Sequence, residues 1–147
     1  MSESEVKAKN VKLTSHAYNA FVKNLRIEDI CLASATIKNF DYSYRPSSAE
    51  VRWKIAAKYE NRDDKIEVLN RYNVRILDLE KGKELKATLS VIFCVTYGSK
   101  IPMTEELFER FKEQNLLLNT WPYFREFVHN AVLRMSWPPF IAPIFTT

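Results

Sequence analysis

VRWKIAAKYENRDDKIEVLNRYNVRILDLEKGKELKATLSVIFCVTYG, residues 51 to 98, decides the fold class. In its first part Val51, Trp53, Ile55, Ala57 and Tyr59 share one phase. Arg52, Lys54, Lys58 and Glu60 share the other, with only Ala56 out of pattern. Period-2 contrast of this kind predicts a strand with one buried and one polar face. NRDDK, residues 61–65, reads as a turn, and Ile66, Val68, Tyr72, Val74 and Ile76 then carry a second strand to about Leu79. LEKGKE around Gly82 marks a hairpin, and Leu85, Ala87, Leu89, Val91, Phe93, Val95 and Tyr97 share one face of a third strand. Ile92 and Cys94 make the opposite face partly apolar, which predicts cover on both sides there, by a helix and by another subunit.

Upstream, Phe21, Lys23, Leu25 and Ile27 run in one phase and Ile30 and Leu32 in the other. The change near residues 26–29 predicts a bulge or kink inside one long strand from Phe21 to Ile37. FDYSYRPSS, residues 40–48, alternates aromatic and polar side chains ahead of Pro46 and two serines, a turn or crossover loop. Residues 1–15 are charged and serine-containing, so a flexible N-terminal arm is expected ahead of one domain over residues 16–147.

Downstream, Pro102 ends the strand pattern. Thr104 before Glu105 and Glu106 is a helix cap with carboxylates at the positive end of the helix dipole, and predicts a short helix through Glu113. Thr120 reads as a second cap with Pro122 in the first turn. Phe124, Phe127, Val128, Ala131 and Met135 follow at helical spacing, and Val132 and Leu133 widen the stripe beyond what one sheet face needs. Part of this helix is therefore expected to pack against a partner chain, with Phe127, Val128, Val132 and Met135 at the oligomer interface. Three prolines between residues 137 and 143 favour an extended, packed tail. Four strands followed by helices, with short turns between successive strands, predict an α+β protein: a four-stranded antiparallel meander sheet and C-terminal helices.

Bulk composition narrows the function. A chain of 147 residues fits one domain. Its two glycines exclude a glycine-rich phosphate loop and a dinucleotide-binding fingerprint, which need several at fixed spacing. The net charge of +4 permits but does not demand an anionic partner, and the basic residues are spread along the chain. Cys31 and Cys94 each sit in an apolar run and read as buried, reduced thiols. A disulfide requires their strands to be neighbours. No second cysteine or histidine lies at ligand spacing, so no metal site is expected. The polar N-terminus lacks the apolar run of a secretory signal and no segment reaches membrane-spanning length, so the protein is expected in the cytoplasm without membrane insertion.

LLLNTWPYFREFVHNAVLRMSWPPFIAPIF, residues 116–145, resembles the SecB-like protein-export chaperone family, which includes chaperones associated with toxin–antitoxin pairs. The resemblance rests on Trp121-Pro122-Tyr123-Phe124-Arg125-Glu126, on Trp137-Pro138 and on Ile141-Ala142-Pro143. A weaker likeness covers Leu25–Leu32 with its Asp29-Ile30 step and the order of strands and crossover loop. The family implies a homo-oligomer, a dimer or a tetramer built as a dimer of dimers, that holds unfolded polypeptides or preproteins in apolar grooves. It also implies partners such as the SecA-type motor or an antitoxin. Two features depart from the export members: the chain reaches Thr147 soon after the Ala-Pro run, where they continue into a second helix, and its charge is basic. Asp29 matches an acidic motor-docking position, whereas Ala33 stands where the family has a glutamate.

These readings converge on an ATP-independent holdase in protein export or toxin–antitoxin control, with single-stranded nucleic-acid binding or an adaptor role as the alternatives. Phe40, Tyr42, Tyr44 and Trp53 are the expected peptide-binding residues, because rings bury large area at low entropic cost and tolerate varied partners. No cofactor is required where apolar burial supplies affinity. His16 and His129 show no spacing to a nucleophile and a carboxylate, and adjacent Arg125 and Glu126 point to different sides of a helix, so no enzyme is expected. Arg52, Lys54, Lys58, Arg71 and Arg75 are expected to share one sheet face, solvated in the simplest case.

Overall fold

β-branched and aromatic residues in strict alternation build the centre of the molecule. The computed structural model describes residues 13–80 and 82–138. Its elements are α1 (Ser15–Asn24), β1 (Arg26–Asn39), β2 (Ala49–Arg62), β3 (Lys65–Asp78), β4 (Glu84–Gly98), α2 (Glu105–Glu113) and α3 (Asn115–Arg134). One sheet has the order β1-β4-β3-β2 with every neighbouring pair antiparallel. β2, β3 and β4 follow one another as a meander. β1 joins at the β4 side, so residues 40–48 do cross over, from one edge of the sheet to the other.

Each turn has a local cause. Arg62 pairs with Lys65, leaving Asp63 and Asp64 as a two-residue hairpin loop with Asp63 at φ +55°, a conformation that aspartate tolerates. Between β3 and β4 the chain passes through Gly82 at φ +62° and Lys83 at φ +60°. The register then slips so that Leu77 faces Leu85 and Ile76 faces Ala87, setting Lys86 out as a bulge. In β1 the register shifts between Ile27 and Asp29 and again between Leu32 and Ser34, the first at the phase change seen in the sequence.

Two clusters on one face of the sheet form the core. The first joins Tyr72, Val74, Leu89 and Phe93 to Trp121, Phe124, Val128 and Val132 of α3. Phe124 stacks on Tyr72 with ring centroids 4.2 Å apart and planes at 10°. The second joins Val68, Val95 and Tyr97 to Phe108 and Phe111 of α2 and to Tyr18 and Phe21 of α1.

Four expectations need correction. Phe21–Asn24 is the end of a helix, not the start of a strand: Thr14 Oγ1 accepts from Ala17 N–H to cap α1, and Tyr18 and Phe21, three residues apart, bury together. The same residues satisfy a period of 2 as well as a helical spacing, and the cap decides. Thr120 does not start a helix: α3 begins at Asn115 and carries Pro122 inside it. The Thr120 side chain is needed for a buried network, in which its hydroxyl shares a hydrogen bond with the Tyr72 hydroxyl and lies 2.7 Å from Asn70 Oδ1. Cys31 is exposed and Cys94 half-buried; they face each other in register on neighbouring strands, in the outer rows of the sheet. Val128 and Val132 are sealed inside this chain's own first cluster and need no partner to cover them. Residues 1–12 of the expected arm and residues 139–147 of the tail lie outside the described residues. Thr104 does cap α2, its Oγ1 accepting from Leu107 N–H at 3.3 Å.

Candidate functional site

The helices do not cover the sheet evenly. Following one row of inward-pointing residues across the strands gives Trp53, Val74, Leu89 and Ile37. Trp53 packs against Trp121 and Phe124 of α3, at 5.8 and 5.4 Å between ring centroids. Val74 and Leu89 are buried, and Ile37 at the other end is 43% exposed. The row of buried Phe93 repeats the asymmetry, with half-buried Ala57 at its β2 end and Leu32 at 54% exposure at its β1 end, whereas the row between these two is open at both ends, at Ile55 and Ala35. Ile27, Leu32, Ala35 and Ile37 therefore form an apolar stripe outside both clusters, interrupted by Ile30, which is half-buried against the second.

The stripe has neighbours on two sides. Across β4, Tyr123 of α3 stands 6.3 Å from the Phe93 ring and is half-exposed, with half-buried Phe127 one turn on. At its end β1 runs into the crossover, where Phe40 and Tyr42 are exposed, Tyr42 at 86%. The crossover is fixed at its root. Phe40 N–H donates to the carbonyl of Lys86, and the Lys86 ammonium lies 3.2 Å from Asp41, 3.3 Å from Glu84 and 5.0 Å above the Tyr44 ring. Hydrogen bonds from Ser43 and Lys86 hold the Asp41 carboxyl below its ordinary pKa. Long apolar side chains left at the margin of a sheet, beside an anchored aromatic loop, are a surface for another chain's apolar side chains.

The structure splits the sequence-predicted aromatic set. Phe40 and Tyr42 lie open beside the stripe. Tyr44 turns into the first cluster, edge-on to Trp137 at 5.9 Å, and Trp53 belongs to the opposite, β2 side of the sheet. Asp29 is exposed on β1 opposite Thr96, in the outer rows. Phe127 and Met135 are half-buried against the first cluster. Sequence reasoning missed Leu32, Ile37 and Tyr123. The signal was present, since Leu32 and Ile37 are apolar residues in a long strand. Which strand the helices leave bare, though, depends on strand order. His16 and His129 are exposed on α1 and α3. Among the described residues no cluster of three or more His, Cys, Asp or Glu side chains could hold a metal. No described helix is long and apolar enough to cross a membrane.

An antiparallel sheet ordered β1-β4-β3-β2, a crossover loop and helices gathered on one face define the SecB-like chaperone fold. Among solved structures, the chain is similar to the Mycobacterium tuberculosis Rv1957 SecB-like chaperone in complex with a ChAD peptide from the Rv1956 HigA1 antitoxin. That likeness has a TM-score of 0.75 at 17% identity, over 88% of this chain and 97% of that one. It is also similar to a protein of unknown function from Streptococcus agalactiae, with a TM-score of 0.50 at 7% identity, over 82% and 97%. No protein-family model and no curated protein matches the sequence.

Proposed function

We propose that this protein is an ATP-independent holdase that binds an unfolded polypeptide segment along the bare side of its sheet. The observation that carries the reading is the apolar stripe of β1, Ile27, Leu32, Ala35 and Ile37, left exposed beside Tyr123, Phe40 and Tyr42 while the inward residues of β3 and β4 on the same sheet face are buried. A client's side chains would fill this margin, and the exposed edge of β1 offers unpaired backbone groups to an extended segment. Apolar burial supplies the affinity, so the chain works without nucleotide, cofactor or catalysis, as a cytoplasmic protein.

An antitoxin is the favoured client over an export preprotein. The similar mycobacterial structure holds an antitoxin peptide. The protein would act as a homo-oligomer, a dimer or a tetramer, with Phe127, Met135 and exposed Leu133 of α3 at the contact and Asp29 as a docking residue for a further partner. Nothing favours single-stranded nucleic acid at this margin, because its row of β1 carries no cation among Ile27, Leu32, Ala35 and Ile37.

The test is suppression of aggregation of a reduced, unfolded client, followed by light scattering. The wild type should suppress it. Leu32→Asp with Tyr123→Ser should remain folded and lose most of the protection, because the substituted side chains are half-exposed. Equal protection by the variant would remove the site, and no protection by the wild type would remove the function.

A further inference from the structure

The other face of the sheet carries a separate pattern. Its outward rows can be read across the strands from the register. The first is Arg52, Arg75, Thr88 and Lys38; the second Lys54, Asn73, Ser90 and Thr36; the third Ala56, Arg71, Ile92 and Ser34. The fourth is Lys58, Leu69, Cys94 and Cys31, and the fifth Glu60, Glu67, Thr96 and Asp29. A sixth row, Arg62, Lys65, Gly98 and Arg26, follows, and Arg62 pairs with Glu60 at 3.3 Å and Glu67 at 3.9 Å. The face is thus basic at one end, apolar in the middle and mixed in charge at the other. Eight residues along a strand separate the first and fifth rows, about 27 Å at ~3.4 Å per residue.

Two features of the basic end point to a partner. Arg52 and Arg75 are directly opposite each other, an arrangement that destabilises a sheet unless something neutralises it. Arg52 reaches Glu50 at 3.3 Å. Among the described residues, no carboxylate forms an ion pair with Arg75, Lys38, Lys54, Lys58 or Arg71. The cations also border a trough of about 690 Å³ whose lining includes Lys38, Arg52, Lys54 and Arg75 together with Asn73 and Ser90. A second hollow of about 300 Å³ beside it is lined by Ala56, Leu69 and Ile92 between Lys58 and Arg71.

We propose that this open sheet face docks an acidic segment of a protein partner, with its carboxylates over Arg52, Arg75, Lys54 and Lys38 and an apolar side chain in the hollow at Leu69 and Ile92. Two observations favour a polypeptide over a nucleic acid. The outward rows contain no aromatic ring on which a base could stack. The apolar hollow suits a side chain and not a phosphodiester. This face is distinct from the client margin, which lies on the helix side.

The test measures binding of a labelled glutamate-rich peptide with a central leucine to the whole protein at low and high salt. Its lysine-for-glutamate counterpart and an oligothymidylate serve as controls. The acidic peptide should bind, weaken as salt rises and lose roughly tenfold or more in affinity with Arg52→Glu and Arg75→Glu together. Leu32→Asp should leave this binding unchanged, which separates the two faces. Arg52→Gln with Arg75→Gln should fold at least as stably as the wild type, since it removes like-charge repulsion, and should still weaken the peptide several-fold. Undiminished binding by both paired variants overturns the proposal. So does tighter binding of oligothymidylate than of the peptide, or equal binding of the lysine peptide.

Discussion

The two edges of this sheet are built from similar residues and end in different states. β2 presents Val51, Trp53, Ile55, Ala57 and Tyr59 to the helix side, and all but Ile55 pack against a core cluster. Tyr59 meets Phe108 of α2 with ring centroids 4.7 Å apart. β1 presents Ile27, Ile30, Leu32, Ala35 and Ile37 to the same side, and of these only Ile30 packs against a cluster. The difference lies in where α2 and α3 rest. Their rings meet those of β2, β3 and β4, through Trp121 against Trp53 and Tyr72 and through Phe111 against Tyr97. Burial at one edge thus supplies stability, and exposure at the other leaves apolar surface for a second chain.

The largest effect belongs to the sealed half. Burial pushes the Tyr72 hydroxyl up to about 12, against the lowering effect of its Thr120 bond. It pushes Tyr97 up to about 12, against that of its Asn119 bond. Both folded values lie above the unfolded value of 10.0, so the contribution is fully present below pH 10 and disappears as the pH rises through about 12. It amounts to roughly 2–3 kcal/mol apiece. An alkaline titration should show tyrosinate absorbance from these two residues appearing together with loss of circular dichroism. Their ionisation near pH 10 in a folded protein would mean that the centre is not sealed.

A direct comparison of the edges comes next. Trp53→Ala should cost about 3 kcal/mol in urea unfolding. Ile37→Ala, in the same row at the other end, should cost under about 1 kcal/mol. Equal losses would abolish the distinction. A smaller effect tests the network beneath α3. Thr120→Val preserves the shape but leaves Asn70 Oδ1 and the Tyr72 hydroxyl without this partner, and should cost about 1–2 kcal/mol. A neutral outcome would show that the two groups find other partners.

Much of the fold was legible. Alternation placed the strands later numbered β2, β3 and β4 within a residue or two, and Thr104 marked the start of α2. Period and caps are local properties, so sequence reports them directly. Thr120 misled because a threonine beside a proline looks the same whether it caps a helix or feeds a buried hydrogen bond. The aromatic set was legible as chemistry and not as place. Phe40 and Tyr42 stayed outside, Tyr44 turned toward Trp137, and Trp53 fell to the other edge. Val128 and Val132 carry the apolar spacing that a partner would also want, and their own sheet takes it up.

By itself the sequence determined an α+β chain with one apolar and one charged sheet face, because alternating side chains point to opposite sides of any strand. Only the tertiary structure decided that β1 pairs with β4. This puts Cys31 opposite Cys94, brings Lys38 into the row of Arg75 and Arg52, and sets Ile37 at the far end of Trp53's row. Those adjacencies follow from the crossover and from the resting place of α3, both set by packing between residues far apart in the chain, which no local period encodes.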